Sequence, residues 1–316
     1  MRMLNNSSFM AGETSSIGRH CQPGPPGWFT ILFAWVDDAL VIACRRPVQR
    51  LPMPDKSLFY LLFTLYALAV SGYAANAVLR REWLTRAGLG LVAAGILLHT
   101  GLLAQRWLTA GYLPVTNLFA TLFFFSWALA LTFLYFELRY RLGASGLFVM
   151  GLNLLLLGSA LPRDPRVPPL IPALDTPLFE LHIIFSFTGY AMFAMAFALG
   201  VLYLAQARLA SGALPELSLL RRCNEEAIFL GFGLFTLCMV AGSIWAHIAW
   251  GYWFSWNVKA VWSFLVWLFY AGMCHAKFVR RWQGGVYAWL SIAGFGVVLF
   301  TYLGIGLLLE SNHPLE

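Results

Sequence analysis

The sequence predicts an all-α fold, a polytopic membrane helical bundle with about eight transmembrane helices. Of its 316 residues, 60% are apolar and 11% charged, at a mean hydropathy of +0.71. A soluble domain carries about 25% charged residues and roughly 45–50% apolar ones. The charged side chains gather between long uncharged runs, each near the roughly 20 residues that cross a bilayer. Aromatic residues make up 16%, with much of the Trp near the ends of those runs, where membrane–water interfaces favour indole. A water-soluble enzyme is excluded, because too little polar side chain remains to coat a globule of this size. The net charge of +7 is scattered through short loops. That pattern marks membrane orientation and excludes a nucleic-acid face.

Residues 1–52 stand apart from this pattern. Residues 28–44 are apolar but hold Asp37 and Asp38 at their middle, which would cost roughly 5–7 kcal/mol at a helix centre. Neither a ninth span nor a clean signal peptide is expected there. The stretch reads as a disordered extension or a mis-assigned start ahead of Met53, and 53–316 as a single membrane domain. Span one, 58–79, is uncharged and closed by Arg80 and Arg81. Span two, 87–105, follows Arg86, contains His99 and ends before Arg106. Span three, 117–138, opens on Asn117 and ends before Arg139 and Arg141. Span four, 143–161, carries Asn153 and runs into the proline-rich loop 162–178 with Arg163 and Arg166. Span five, 179–206, has Glu180 and His182 at its start and Arg208 after it. Span six, 227–248, follows Arg221 and Arg222. Span seven, 261–279, follows the loop 249–260 and holds His275, with Lys277, Arg280 and Arg281 at its end. Span eight, 286–309, leads to Glu310 and His313.

Lys and Arg orient these spans. The loops after spans one, three, five and seven hold eleven, and those after spans two, four and six hold four: Arg106, Arg163, Arg166 and Lys259. The richer set belongs in the cytoplasm, so the loop 249–260 and the C-terminus are expected outside. The five cysteines, Cys21, Cys44, Cys223, Cys238 and Cys274, form no C-x-x-C pair and read as small buried hydrophobes.

The polar groups expected inside the membrane are few. No Asp, Glu, Lys or Arg lies deep in a span, which argues against proton- or sodium-coupled transport. His99 and His275 remain, with Asn117 and Asn153 as weaker points. Imidazole without carboxylate suits a neutral nitrogen ligand, and haem iron is a leading client. A plain hydrogen bond from each His to a neighbouring helix is the other reading. At the outer surface, His182 and His313 share a side with the run Trp250 to Trp262. That run packs Trp250, Trp253, Trp256 and Trp262 with Tyr252 and Phe254 into thirteen residues. An interfacial belt would explain single Trp residues; a flat macrocyclic ligand gripped by aromatic faces and imidazoles would explain the cluster.

The run WAHIAWGYWFSWNVKAVWSFLVWLFYAGMCH resembles the tryptophan-rich WWD signature, WGxxWxWDPKExW, of cytochrome c assembly proteins of the CcsA/ResC type. The resemblance extends through LHTGLLAQRWLTAGYLPVTNLFATLFFFSW (98–127), TPLFELHIIFSFTGYAMF (176–193) and GFGVVLFTYLGIGLLLESNHPLE (294–316), so it covers about 58–316. It implies a haem-handling membrane protein that carries haem b outward and presents it to apocytochrome c bearing C-x-x-C-H. His99 and His275 would hold haem iron within the bilayer. His182 and His313 would ligate it outside, cradled by Trp250, Gly251, Trp253, Trp256 and Trp262. The resemblance also implies a CcsB/ResB-type partner, with which haem lyase activity is expected, a thiol-reducing protein, and a bacterial cytoplasmic membrane. The Asp-Pro-Lys-Glu of the signature stands here as Asn257, Val258, Lys259 and Ala260, its middle Trp as Phe254, and the Glu after the proline-asparagine motif as Ala120. A haem-escorting relative that makes no cytochrome, or a structural subunit without haem, are the rival readings. Arg106, Arg163, Arg166 and Lys259 are candidates to neutralise the propionates. At ~1.5 Å per residue, His99 and His275 differ in depth by roughly 13 Å, which leaves three readings: shifted span boundaries, a tilted helix, or two histidines that do not share one haem.

Overall fold

The computed structural model describes residues 56–304, apart from 168, 169, 211 and 213. The stretch 1–52 and His313 lie outside the described residues. Among the described residues eight α-helices follow one another: α1 Lys56–Leu79, α2 Glu82–Ala110, α3 Leu118–Tyr140, α4 Gly146–Ala160, α5 Pro177–Leu209, α6 Leu217–Trp250, α7 Val258–Ala276 and α8 Gly285–Leu299, continued by a π turn to Gly304. Among the described residues there is no strand. Seven of these helices are long and apolar enough to cross a membrane, and the chain is an integral membrane protein. Hydrogen bonds from Arg106 to Pro165 O, from Asn117 to Arg166 O, from Leu113 N–H to Glu180 and from Trp245 to Ala173 O join the connections after α2, α4 and α6. The ends of α2, α4 and α6 and the starts of α3, α5 and α7 therefore share one end of the bundle, here called the Trp-loop end.

Helix α4 is the departure from the expected eight full spans. Its 15 residues reach only about 22 Å at 1.5 Å per residue, short of the roughly 30 Å hydrocarbon core. A 3₁₀ turn, Gly143–Ser145, takes the front of the expected span, and Pro162 and Pro165 prevent extension at the other end. Asn153 is buried and accepts a hydrogen bond from Ser126 Oγ on α3 at 3.0 Å, an interhelical polar tie of the kind membrane bundles use. Helix α6 departs the other way and begins ten residues before the expected span. Its first turns carry Arg221, Arg222, Glu225 and Glu226, and ion pairs from Glu225 to Arg221 (3.8 Å) and Lys277 (3.4 Å) support them. A hydropathy window sees only the apolar part of such a helix.

The caps fix where the Trp-loop end begins. Asn117 Oδ1 accepts from Ala120 N–H at 2.8 Å at the start of α3, and Asn257 Oδ1 does the same for Ala260 at 2.8 Å at the start of α7. Such N-caps contribute about 1 kcal/mol each. Gly251 closes α6 at φ 80°, a left-handed conformation that costs a side-chain-bearing residue roughly 1–2 kcal/mol. Because lipid is as apolar as Leu, helix association rests on close packing. Helices α5 and α6 pair along their length, and a Cβ at Gly231 would meet Phe193 at 2.6 Å. Phe193 in turn stacks face to face on Tyr270 of α7 at 3.5 Å. Cys223, Cys238 and Cys274 are free and buried, as expected.

Candidate functional site

At the Trp-loop end the starts of α3, α5 and α7 and the end of α6 diverge around a cavity of about 840 Å³. Small-molecule sites run to roughly 300–1,000 Å³ and are mostly apolar with a few placed polar groups. This cavity follows that rule: Phe179, Phe187, Tyr190, Trp245, Trp253 and Trp267 are among its walls, and among the described residues no Asp or Glu is. The polar groups facing it include His182, Thr121, Ser243, Asn117, Asn257 and one cation, Lys259.

His182 stands in the second turn of α5, which starts at Pro177 after the Thr176 cap. Its Nδ1 lies 2.9 Å from the backbone carbonyl of Cys238 on α6. A carbonyl has no proton to give, so Nδ1–H donates and Nε2 keeps its lone pair. This is the arrangement that fixes the tautomer of a metal-ligating histidine. One turn further along α6, Gly242 makes room for the ring, since a Cβ there would stand 2.4 Å from Nδ1. Trp253 is held by its backbone and by its ring. Ser243 Oγ donates to its carbonyl at 2.7 Å, and His247 stacks on its indole at 4.1 Å and 7°. Trp245 Nε1 donates to Ala173 O at 2.9 Å, which ties the loop before α5 to α6. Glu180 accepts from Leu113 N–H at 2.7 Å, which ties the loop before α3 to α5.

The structure brings together two of the expected residues, His182 and Trp253, with Phe254 beside them. It does not gather the whole tryptophan run. Trp250, Trp256 and Trp262 are not on the cavity wall, Gly251 serves as the α6 cap, and Trp262 packs on Phe300 at 4.6 Å; Trp253 is itself 57% exposed. His99 is fully buried between α1 and α3. Its Nδ1 is 3.4 Å from Tyr66 Oη, its ring 4.1 Å from that of Phe123, and its Nε2 has no partner. His275 is in the last turn of α7 with Nδ1 donating to Ala271 O at 2.9 Å. His99 lies roughly 26 Å along α2 from Glu82, so the helix limits widen the depth offset expected between these two histidines. The described residues thus give them separate surroundings.

Arg106 is corrected in place. It belongs to α2 rather than to a loop and is 1% exposed, with Nη1 donating to Pro165 O at 2.7 Å. Arg166 pairs with Asp164 at 2.6 Å, and that bond holds the exposed Asp164 carboxyl below the usual carboxylate range. Arg163 donates to the Ser159 carbonyl. Lys259 alone of the four cations faces the cavity. Sequence reasoning missed Cys238, Gly242 and Ser243. Their signal is helical spacing, because 238 and 242 stand four apart on the face of α6 that meets His182.

The profile of the family described as Cytochrome C assembly protein matches residues 115–313. The Cytochrome c biogenesis protein CcsA of Thermosynechococcus vestitus is 31% identical over 310 residues, covering 82% of this chain and 95% of that one. The CcsA of Guillardia theta is 29% identical over 253 residues, covering 72% and 84%. Among solved structures, Cytochrome c Heme Lyase CcmF shares the fold at a TM-score of 0.60 and 14% identity; the match spans 78% of this chain but 46% of that one.

Proposed function

Because this chain belongs to the family of cytochrome c assembly proteins of the CcsA type, we propose that its cavity receives haem b and presents it for attachment to apocytochrome c. Haem is the cargo. His182 Nε2 is the iron ligand on the α5 side, and His313, outside the described residues, is the proposed second one. Trp253 and Phe254 supply faces for the macrocycle, while Trp250, Gly251, Trp256 and Trp262 shape the loop that carries them. His275 and His99 are proposed, each singly, as contacts of haem on its way through the bundle. The residues suit the group: an aromatic space of about 840 Å³ with no acid among its described residues, beside an imidazole whose other nitrogen is already committed.

The reaction to be served adds a cysteine S–H across each haem vinyl group. A carbon–sulfur bond forms, the thiol proton goes to the neighbouring carbon, and no net electrons move. The protein's part is to hold the ring still and open to the peptide, which is positioning rather than acid–base work. A CcsB/ResB-type chain is the proposed partner, with a thiol-reducing protein keeping the C-x-x-C-H cysteines reduced. The eleven-to-four Lys/Arg bias supports an orientation with the Trp-loop end outside, and a bacterial cytoplasmic membrane is the proposed location.

The carrying observation is the pinned His182 at the cavity wall. Protein purified in detergent from haem-replete cells is expected to show a low-spin Soret band that His182→Ala weakens, and cells carrying that variant are expected to lose c-type cytochromes. A colourless wild-type preparation overturns the proposal. The escort reading draws on Asn257 and Ala260, which leave the start of α7 without an acid. It predicts bound haem with normal cytochrome c levels on deletion.

A further inference from the structure

The cavity has two mouths. Asn257 and Lys259 are on its wall and exposed at the Trp-loop end, where water and a peptide reach it. Val240 of α6 and Phe264 of α7 are also on its wall, yet they are 52% and 43% exposed. Both belong to the outward faces of their helices. Leu230, Gly233, Leu237 and Val240 follow one another three or four apart on α6 and are all exposed. Phe264, Leu265, Leu268 and Gly272 form the corresponding exposed stripe of α7. Such a stripe of apolar residues is the face a membrane helix turns to lipid. A residue that lines a cavity and also faces lipid stands at a lateral opening.

The opening lies at membrane depth. Val240 precedes the Trp250 end of α6 by ten residues and Phe264 follows the Val258 start of α7 by six. They are thus about 15 Å and 9 Å below the Trp-loop end, depths that belong to a hydrocarbon layer of roughly 30 Å. Its two ends are closed. One turn deeper, Trp267 Nε1 donates to Thr236 Oγ1 at 2.9 Å and ties α7 to α6. On the shallow side the ring of Phe254 meets that of Phe264 at 6.3 Å. Phe264 and Trp267 stack at 5.9 Å and 10°, which makes one jamb a continuous aromatic face. A slot of this kind admits a flat apolar ring edge-on from lipid without exposing it to water. We propose that the cavity opens sideways into the bilayer between Val240 and Phe264, and that the porphyrin enters by this window while the apocytochrome reaches it by the Trp-loop mouth. This rests on the haem reading above and adds the route of the cargo. Of the two histidine contacts proposed there it selects His275, which is exposed three residues beyond Gly272 on the same outward stripe of α7.

The test follows transfer of iron protoporphyrin IX from phosphatidylcholine vesicles to the full-length protein in lipid nanodiscs, read at the Soret band. A residue that only narrows a doorway raises the barrier equally in both directions. Val240→Trp is therefore expected to slow uptake and release alike, each by about tenfold, with Kd unchanged, and Val240→Ala to speed both. Leu230→Trp is the control: it adds comparable bulk on the same stripe, deeper than the Thr236–Trp267 tie and off the cavity wall, and should leave both rates as in wild type. Unchanged rates in both Val240 variants overturn the inference and assign entry to the Trp-loop mouth or to a path past His99. A loss of affinity in Val240→Trp carried by faster release alone makes Val240 a wall contact and overturns it too. If no form binds the porphyrin, or His182→Ala binds it as wild type does, the haem reading fails and takes this inference with it.

Discussion

Gly242 offers the sharpest handle on the site, because it tests the posture of His182 without touching the imidazole. In Gly242→Ala the new Cβ would lie 2.4 Å from Nδ1 and 2.7 Å from Cε1. Ordinary carbon contacts begin near 3.5 Å, so the ring must retreat from α6 by about 1 Å. The carbonyl it would leave behind belongs to the same helix. The 2.9 Å bond to Cys238 O would then stretch to about 4 Å, beyond hydrogen-bond range. Loss of such an outer-shell partner weakens metal binding by about 10–100-fold. Haem titration of the purified variant, followed at the Soret band, is expected to show a shift of that size with the fold retained. Gly233→Ala is the control on the same helix, since a Cβ there meets nothing within 4 Å. It should bind haem as wild type does. Equal haem affinity for Gly242→Ala and wild type would refute the reasoning that the Cys238 carbonyl sets the tautomer and aim of His182.

Three further outcomes follow from the same geometry. Trp253→Ala is expected to lower haem affinity by about twofold to tenfold, the worth of an aromatic face, whereas Trp256→Ala, at an 87% exposed position, should change it little in the same titration. Asn257→Ala removes the α7 cap and should lower thermal stability in detergent by about 1 kcal/mol, and Asn257→Asp should restore it. Ser126→Ala strands the Asn153 carbonyl oxygen and should cost roughly 0.6 kcal/mol, the mean for such membrane bonds, read by unfolding in mixed micelles.

Much of the fold is legible in the sequence because lipid demands long uncharged helices, and seven appear at the expected places. What hydropathy does not convey is helix beyond the apolar run. Leu217–Glu226 continues α6 through ion pairs, and α2 continues past position 105 far enough to bury Arg106. Nor does it show that α4 falls short, with Asn153 tied to Ser126 through Oδ1 while its buried Nδ2 has no partner among the described residues. The site is legible in part. His182 and Trp253 can be picked out by residue type and side of the membrane. Trp250, Trp256 and Trp262 belong to the same run but are not on the cavity wall, and a loop of aromatic residues does not reveal that Trp253, itself 57% exposed, is the ring that Ser243 and His247 hold there. Gly242 and Cys238 carry no chemical signature of their own; they matter only through the ring they accommodate.

The proposed haem site lies between His182 and Trp253. A density map of the haem-loaded chain in lipid nanodiscs tests it most directly. The macrocycle is expected inside the Trp-loop cavity, with iron bound to His182 Nε2. A macrocycle found only beside His99, or a cavity filled by lipid while haem is bound elsewhere, would contradict it.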